Sequence, residues 1–172
     1  MPNNLKTCYH GRYLHLVERD GWEYVSRLHP VVVMIACTDA DELILVEQYR
    51  KPVDRRTIEL PAGLVGDQNH DRGESLISAA TRELIEETGY EAGRMIEIMR
   101  CPTSSGMSNE IAAFLMAENL QKIGPGGGDD SEDIAVHCVA CSDIDDWLQR
   151  QYQAGLCIDP KIYTALYWLQ HR

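Results

Sequence analysis

Three glutamates lie close together in residues 82–90, whose sequence is RELIEETGY. Positions i, i+3 and i+4 of a helix share a face, so Glu83, Glu86 and Glu87 converge, and no lysine on that face neutralises them. Carboxylates this close repel one another unless a cation lies among them. Because hard cations prefer oxygen ligands, the spacing predicts a divalent-metal site for Mg²⁺ or Mn²⁺.

A solvated acidic face is the alternative interpretation, because charged runs on helices usually face water. The helical phase favours the metal site. At about 100° per residue, Glu87 projects inside an apolar arc and Glu83 lies at its edge. Burying a carboxylate without a partner is unfavourable, so a cation is expected beside it. The arc is formed by Leu76, Ile77, Ala80 and Leu84.

Composition sets the class of protein. A chain of 172 residues with 44% hydrophobic content predicts one soluble globular core. The net charge of −11 argues against nucleic acid or an anionic membrane as partner, whereas a small phosphorylated substrate stays open if metal ions supply positive charge. No apolar run has the length of a signal peptide or a membrane span, so we expect a cytoplasmic protein.

The six cysteines indicate reduced thiols, because most stand in apolar, strand-like surroundings. Cys138 and Cys141 have the spacing of half a zinc site, but no second pair completes it. Buried strand or strand-end thiols are therefore the expectation.

The elements that must position these residues form a mixed α+β pattern with a central, strand-rich body. Residues 9–28 alternate around a turn at residues 19–21, which predicts a β-hairpin too small to be stable alone. The continuous apolar runs at 31–37 and 43–49 predict paired core strands. A short strand should end at residues 59–63.

The second half of the chain alternates helices and strands. Glu74 and Ser75 offer an N-terminal cap for a helix that runs to about Thr88 and stops at Gly89. The acidic, glycine-rich residues 123–133 predict a mobile surface loop. Strands are expected at 95–100, 110–117 and 134–139, and helices at 142–154 and 159–170.

The residues around the helix resemble the Nudix hydrolases. Glu74, seven residues, and then 82–90 match the latter part of the Nudix box. The first interval departs from the family pattern, because Gly63 is separated from Glu74 by ten residues and the loop between them is longer. Four further strings, at 21–27, 48–50, 59–63 and 132–137, resemble the ADP-ribose pyrophosphatase and nucleoside-diphosphate-sugar branch.

The resemblance implies a Nudix α/β/α sandwich preceded by a small N-terminal antiparallel sheet. In this branch such a sheet commonly exchanges with a partner, so a homodimer is expected, which would explain the small hairpin. Residues 1–29 would form the N-terminal extension for dimerisation and base recognition. Residues 30–172 would form the hydrolase domain.

The resemblance also implies the metal ligands. They are the backbone carbonyl of Ala62 and the carboxylates of Glu83, Glu86 and Glu87. Glu86 would bind the metal directly or through water, and it is also predicted to be catalytic. Arg82 would pair with Glu74 and hold the start of the helix, and Gly89 would end it.

Glu132 lies at the position of the general base in this branch, within the acidic residues 129–133. A solvated acidic loop is the alternative for that segment. Arg50 should lie at a strand end, where its planar guanidinium could hold a phosphate; a surface salt bridge is the alternative.

The hairpin carries the residues expected to recognise the base. The resemblance implies that Trp22 stacks on the base, Glu23 hydrogen-bonds to it and Arg27 lies nearby. A core or dimer-interface role is the usual alternative for a tryptophan. An exchanged hairpin would place these residues in the partner's site.

The expected function is metal-dependent hydrolysis of the diphosphate of ADP-ribose or a related nucleoside diphosphate sugar, giving a nucleoside monophosphate and a sugar phosphate. Ser105 replaces the proline usual in this branch, which leaves other nucleotide sugars open. A catalytically silent nucleotide-sugar sensor is one alternative. A Nudix enzyme for dinucleoside polyphosphates or capped RNA is another.

Overall fold

The computed structural model describes residues 4–66, 73–128 and 132–171. The lengthened loop at 67–72 and residues 129–131 of the acidic loop lie outside these ranges. Within them the strands are β1 (Leu5–His10), β2 (Leu14–Arg19), β3 (Trp22–Arg27), β4 (Val31–Ala36), β5 (Glu42–Arg50), β6 (Arg55–Glu59), β7 (Ala62–Leu64), β8 (Tyr90–Pro102), β9 (Ile111–Lys122), β10 (Ile134–Ala140) and β11 (Cys157–Ile158), and the helices are α1 (Leu76–Thr88), α2 (Ile144–Gln153) and α3 (Lys161–Gln170).

The N-terminal strands form a separate antiparallel sheet in the order β1-β2-β3. The predicted hairpin is β2–β3, and its two-residue turn places Asp20 and Gly21 at φ of 52° and 82°, as a tight hairpin turn requires. The sheet attaches to the loop after β8 through Val25. The Val25 N–H donates to the Met107 carbonyl at 2.8 Å, and the Asn109 N–H donates to the Val25 carbonyl at 3.2 Å.

The remaining strands form two four-stranded sheets, in the orders β7-β4-β9-β8 and β10-β5-β6-β11. The predicted pairing of the two apolar strands is wrong, because β4 and β5 belong to different sheets. β4 pairs in parallel with β9, and β5 pairs with β10 and β6. Burial on both faces marks a strand as interior but does not identify its neighbour, and the turn at 38–41 carries the chain from one sheet to the other.

Helices cover both outer faces of this body. Alternate residues of β4 point to opposite sides: Val32 and Met34 pack in the cluster that contains α1, whereas Val33 and Ile35 pack in the cluster that contains α2 and α3. This period of two follows from the pleat of a strand. The fold is the α/β/α sandwich that the sequence predicted.

Several boundaries differ from the prediction. β8 begins directly after α1, at Tyr90, and β9 continues to Lys122. The short strand β11, parallel to β6, was not anticipated. No helix in the described ranges is long and apolar enough to cross a membrane.

Candidate active site

A cleft of about 570 Å³ opens at the end of the sandwich where β4 begins, β5 ends and β10 begins. In the part of the chain that the structure describes, six carboxylates and three cationic side chains line it, namely Glu59, Glu83, Glu87, Glu110, Glu132 and Asp159 against Arg27, Arg50 and Lys161. An anionic ligand entering this cleft therefore needs additional positive charge.

A larger cavity of about 880 Å³ lies between residues 28–30 and the start of α1. Among its described lining residues, Glu74 is the one carboxylate. A divalent metal ion needs several oxygen ligands that converge on one point, and only the smaller of these two cavities has several carboxylates among its described lining residues. We therefore place the candidate site in the smaller cleft.

Helix α1 aims two of its glutamates into the cleft. The Ser75 hydroxyl caps the helix by accepting from the Ser78 N–H at 3.0 Å, and Gly89 ends it in a left-handed conformation with φ of 71°. Glu83 and Glu87 are buried, with 9% and 3% of their surface exposed. The Glu86 side chain is 39% exposed, and Glu86 is not among the described lining residues of the cleft.

Strand β7 approaches these carboxylates with its backbone. The Ala62 N–H donates to Glu87 Oε2 at 3.0 Å. A Cβ atom at Gly63 would lie 1.9 Å from Glu83 Cδ, so only glycine leaves room for the Glu83 carboxylate. Gly63 therefore lies directly against the side chain of Glu83, one of the predicted metal ligands.

Gly63→Ala should displace Glu83 and weaken metal binding. We expect the Mg²⁺ concentration for half-maximal activity to rise about tenfold or more, because the carboxylate must leave its position beside Glu87. The measurement is a Mg²⁺ titration of hydrolysis. Gly124→Ala is the matched control, since a Cβ at Gly124 meets nothing within 4 Å. An unchanged Mg²⁺ requirement in Gly63→Ala would contradict this prediction.

Arg82 links the helix start to the acid cluster. Its guanidinium donates to Glu74 Oε1 at 3.0 Å and to the Leu64 carbonyl at 3.1 Å. It also contacts Glu83 Oε1 at 2.8 Å and Glu86 Oε2 at 3.1 Å. The sequence interpretation considered only lysine as a neutralising cation on this face, whereas Arg82 neutralises part of the charge of Glu83 and Glu86, two of the predicted metal ligands.

The surroundings of Glu87 disfavour the charged form of its carboxylate. Burial raises its pKa to about 8, and although the Ala62 N–H opposes the shift, the carboxylates of Glu83 and Glu132 add to it. The Arg50 guanidinium lowers this pKa only in part. Buried carboxylate oxygens beside a backbone strand fit a hard divalent cation, which would replace the proton.

Arg50 lies in the cleft and is also part of an ion pair. Its Nε and Nη2 donate to the two Glu59 oxygens at 2.7 Å and 2.6 Å. These hydrogen bonds raise the pKa of Arg50, and the Thr57 hydroxyl also donates to Glu59. Arg50 therefore faces the cleft, as expected for a phosphate-binding residue, and it also forms a salt bridge. The buried carboxylate of Glu59 orients its guanidinium.

Glu132 lies in the cleft, and its charge acts on Glu87. The next acid, Asp133, instead accepts from Arg56 Nη1 at 2.8 Å and is not among the described lining residues. Of the two acids of this loop that the structure describes, Glu132 is therefore the one that lines the cleft. Asp129 and Asp130 lie outside the described residues.

The first half of this loop does not match the expected mobile surface loop. The Gly127 N–H donates to the Glu87 carbonyl at 2.8 Å, and the Gly128 N–H donates to the Glu86 carbonyl at 3.0 Å. Gly126 has a φ of 71°, and a Cβ there would lie 2.4 Å from the Thr88 carbonyl carbon. We call residues 124–128 the glycine segment; it packs backbone to backbone on the end of α1.

Of the three residues predicted to recognise the nucleotide base, one lines the cleft and two do not. Arg27 lines the cleft, and its Nε lies 2.6 Å from Glu110 Oε2. Trp22 and Glu23 are not among the described lining residues, and Trp22 is 64% exposed on β3. Within one chain, the structure therefore brings only Arg27 to the carboxylates.

Sequence reasoning did not assign a site role to four charged residues of the cleft, Glu59, Glu110, Asp159 and Lys161. Asp159 and Lys161 reach it because the Asp159 N–H donates to the Ile58 carbonyl at 2.9 Å, which continues the β11–β6 pairing. A two-residue strand leaves no periodic signal, so the sequence gave no reason to place the start of α3 here.

Comparison with known proteins identifies relatives of this chain. The NUDIX domain model matches residues 27–155. The methanol dehydrogenase activator of Bacillus methanolicus is 36% identical over 143 residues, which is 83% of this chain and 73% of that protein. The ADP-ribose pyrophosphatase of Bacillus subtilis (strain 168) is 41% identical over 93 residues, 54% of this chain and 48% of that protein.

Matches over the whole chain are more distant. The ADP-ribose pyrophosphatase of Escherichia coli (strain K12) is 28% identical over 170 residues, covering 94% of this chain and 76% of that protein. A crystal structure of an ADP compounds hydrolase superposes with a TM-score of 0.73 at 21% identity, covering 98% of this chain and 90% of the other. At that identity, the structural match supports the fold.

Proposed function

Since the chain belongs to the NUDIX domain family and is a pyrophosphohydrolase, we propose that it hydrolyses the diphosphate bond of ADP-ribose or a related nucleoside diphosphate sugar in a reaction that depends on a divalent metal. The products are a nucleoside monophosphate and a sugar phosphate. The observation that carries this proposal is the cleft itself, in which, among the residues that the structure describes, six carboxylates, three of them buried, outnumber the three cationic side chains.

Mg²⁺ is the proposed metal, with Mn²⁺ as an alternative, because the available ligands are oxygens. The Ala62 carbonyl and the carboxylates of Glu83 and Glu87 would hold it, and Glu86, which lies further out, would act through water. When bound, the metal neutralises the diphosphate oxygens and makes water a better nucleophile. Arg82 keeps Glu83 and Glu86 oriented through its ion pairs.

The chain's own residues supply the remaining steps. Glu132 takes the proton from the attacking water as general base. Arg27, Arg50 and Lys161 provide the positive charge that the diphosphate meets in the cleft. Glu59 fixes the Arg50 guanidinium, which reduces the side-chain entropy lost when a phosphate binds.

A homodimer would complete the site. In the N-terminal sheet Leu5, Tyr9 and Trp22 are exposed apolar side chains, as expected for a surface that pairs with another copy. We propose that residues 1–29 act as the dimerisation extension and that Trp22 and Glu23 contact the base in the partner's cleft, while 30–172 form the hydrolase domain. Residues 1–3 and 172 lie outside the described ranges.

The alternative functions are less well supported by the site. A sensor that had lost turnover would be expected to lose its metal glutamates, yet Glu83 and Glu87 are both present and line the cleft. Dinucleoside polyphosphates and capped RNA remain substrates to test, although the chain's net charge of −11 disfavours RNA. We also propose a cytoplasmic location, a reducing compartment in which thiols persist.

A substrate panel tests the proposal. ADP-ribose, other nucleoside diphosphate sugars, dinucleoside polyphosphates and capped RNA are assayed with Mg²⁺, and nucleoside monophosphate release is measured. We expect the highest kcat/KM for a nucleoside diphosphate sugar and loss of activity with a chelator. Hydrolysis of no diphosphate would exclude the enzyme function, and a preference for dinucleoside polyphosphates or capped RNA would exclude the substrate class.

A further inference from the structure

A cluster of two thiols and one carboxylate lies at the end of the sandwich opposite the cleft. Cys37 follows β4, Asp41 precedes β5 and Cys141 follows β10, whereas the cleft lies at the other ends of these strands. β5 has nine residues, so its two ends are about 30 Å apart. The cluster is therefore separate from the carboxylates of α1.

The three side chains have the spacing of ligands around one metal ion. Cys37 Sγ lies 3.9 Å from Cys141 Sγ and 3.7 Å from Asp41 Oδ1. All three ligand atoms lie within 4.8 Å of one another. Tetrahedral zinc, with Zn–S of about 2.3 Å and Zn–O of about 2.0 Å, sets two sulfurs about 3.8 Å apart and a sulfur and an oxygen about 3.5 Å apart.

Short backbone hydrogen bonds hold these residues in place. The Cys141 N–H donates to the Asp41 carbonyl at 2.9 Å, which joins the β4–β5 turn to the end of β10. Within the turn, the Asp41 N–H donates to the Thr38 carbonyl at 3.0 Å. Both cysteines are half-buried and Asp41 is exposed, so an ion can enter from the solvent side.

We propose that Cys37, Asp41 and Cys141 bind one Zn²⁺ ion that ties the β4–β5 turn to the start of α2. Two thiolates select a borderline or soft ion over Mg²⁺, and water completes the tetrahedron. The thiols release their protons to solvent on binding. Cys138, despite its spacing from Cys141, takes no part, since its Sγ lies 3.5 Å from the Tyr90 hydroxyl.

The test uses the reduced, chelator-treated full chain with Zn²⁺ or Co²⁺ in saturating Mg²⁺. We expect one equivalent of Co²⁺ to give thiolate charge-transfer absorption and Zn²⁺ to displace it. Cys37→Ser and Cys141→Ser should weaken binding at least about tenfold, whereas Cys138→Ser, the matched control, should not. Mg²⁺-dependent hydrolysis in Cys37→Ser should equal that of the unmodified chain.

A Co²⁺ complex without thiolate absorption would overturn the proposal, and so would binding that survives Cys37→Ser. Loss of binding in Cys138→Ser would assign the ion to the Cys138 and Cys141 pair instead. If the serine variants do not fold, Asp41→Asn keeps the test open, because this side chain is exposed. Weaker binding with an unchanged circular dichroism spectrum supports the site, and unchanged binding contradicts it.

Discussion

Glu87→Gln is expected to lower kcat for diphosphate hydrolysis on the order of a thousandfold, about 4 kcal/mol of transition-state stabilisation. Glu87 is 3% exposed, and its carboxylate lies between the Ala62 backbone and the charges of Glu83 and Glu132. The glutamine amide keeps the shape of the side chain but lacks the negative charge of the proposed metal ligand. Steady-state kinetics with Mg²⁺ measures the effect. Glu91→Gln, at an exposed position on β8, is the matched control.

Stability measurements show whether the lower kcat of Glu87→Gln is caused by unfolding of the variant. When a chelator keeps the protein free of metal, the pKa of Glu87 is raised from 4.5 in the unfolded chain to about 8 in the folded chain. The folded chain keeps a proton that the unfolded chain releases, so this group lowers the free energy of unfolding as pH rises through that interval. Glu87→Gln lacks this dependence and should gain relative stability between pH 5 and pH 8 in denaturant titrations. An equal difference at both pH values would contradict the assigned burial.

Glu132→Gln is expected to lower kcat by about a hundredfold or more, because a general base contributes that much to a proton transfer. The Mg²⁺ requirement and KM should change little if Glu132 acts on the water rather than on the metal or the substrate. Measuring kcat, KM and the Mg²⁺ titration separates these roles.

Asp133→Asn is the matched control for this variant. Asp133 is adjacent in sequence, but it pairs with Arg56 outside the cleft. Its replacement should leave kcat unchanged. Full activity in Glu132→Gln, or an equal loss in Asp133→Asn, would remove Glu132 as the base.

The sequence predicted the parts of this molecule that depend on local periodicity. The Ser75 cap, the Gly89 stop and the inward phase of Glu83 and Glu87 all follow from helix geometry, and the structure has them. The box around the helix identified the family and therefore the sandwich. These features need only the order of residues within a few turns.

Other features depend on contacts between distant segments. The strand partners of β4 and β5 were wrong because continuous apolar runs do not encode neighbours. Lys161 reaches the cleft through a two-residue strand without a periodic pattern. Arg82 was expected to contact Glu74, and its i,i+4 contact with Glu86 could also have been found from helix geometry. Its hydrogen bond to the Leu64 carbonyl, by contrast, depends on how β7 lies against α1.

The glycine segment has a consequence for engineering this enzyme. The glycines of this segment allow close backbone packing rather than flexibility. A Cβ at Gly126 would clash with the α1 backbone, and a Cβ at Gly128 would lie 2.4 Å from Glu132 Oε2. Variant libraries at these two positions will mostly yield damaged proteins. Diversity aimed at new substrates belongs at the exposed residues 104–107, where a Cβ at Gly106 would meet nothing within 4 Å.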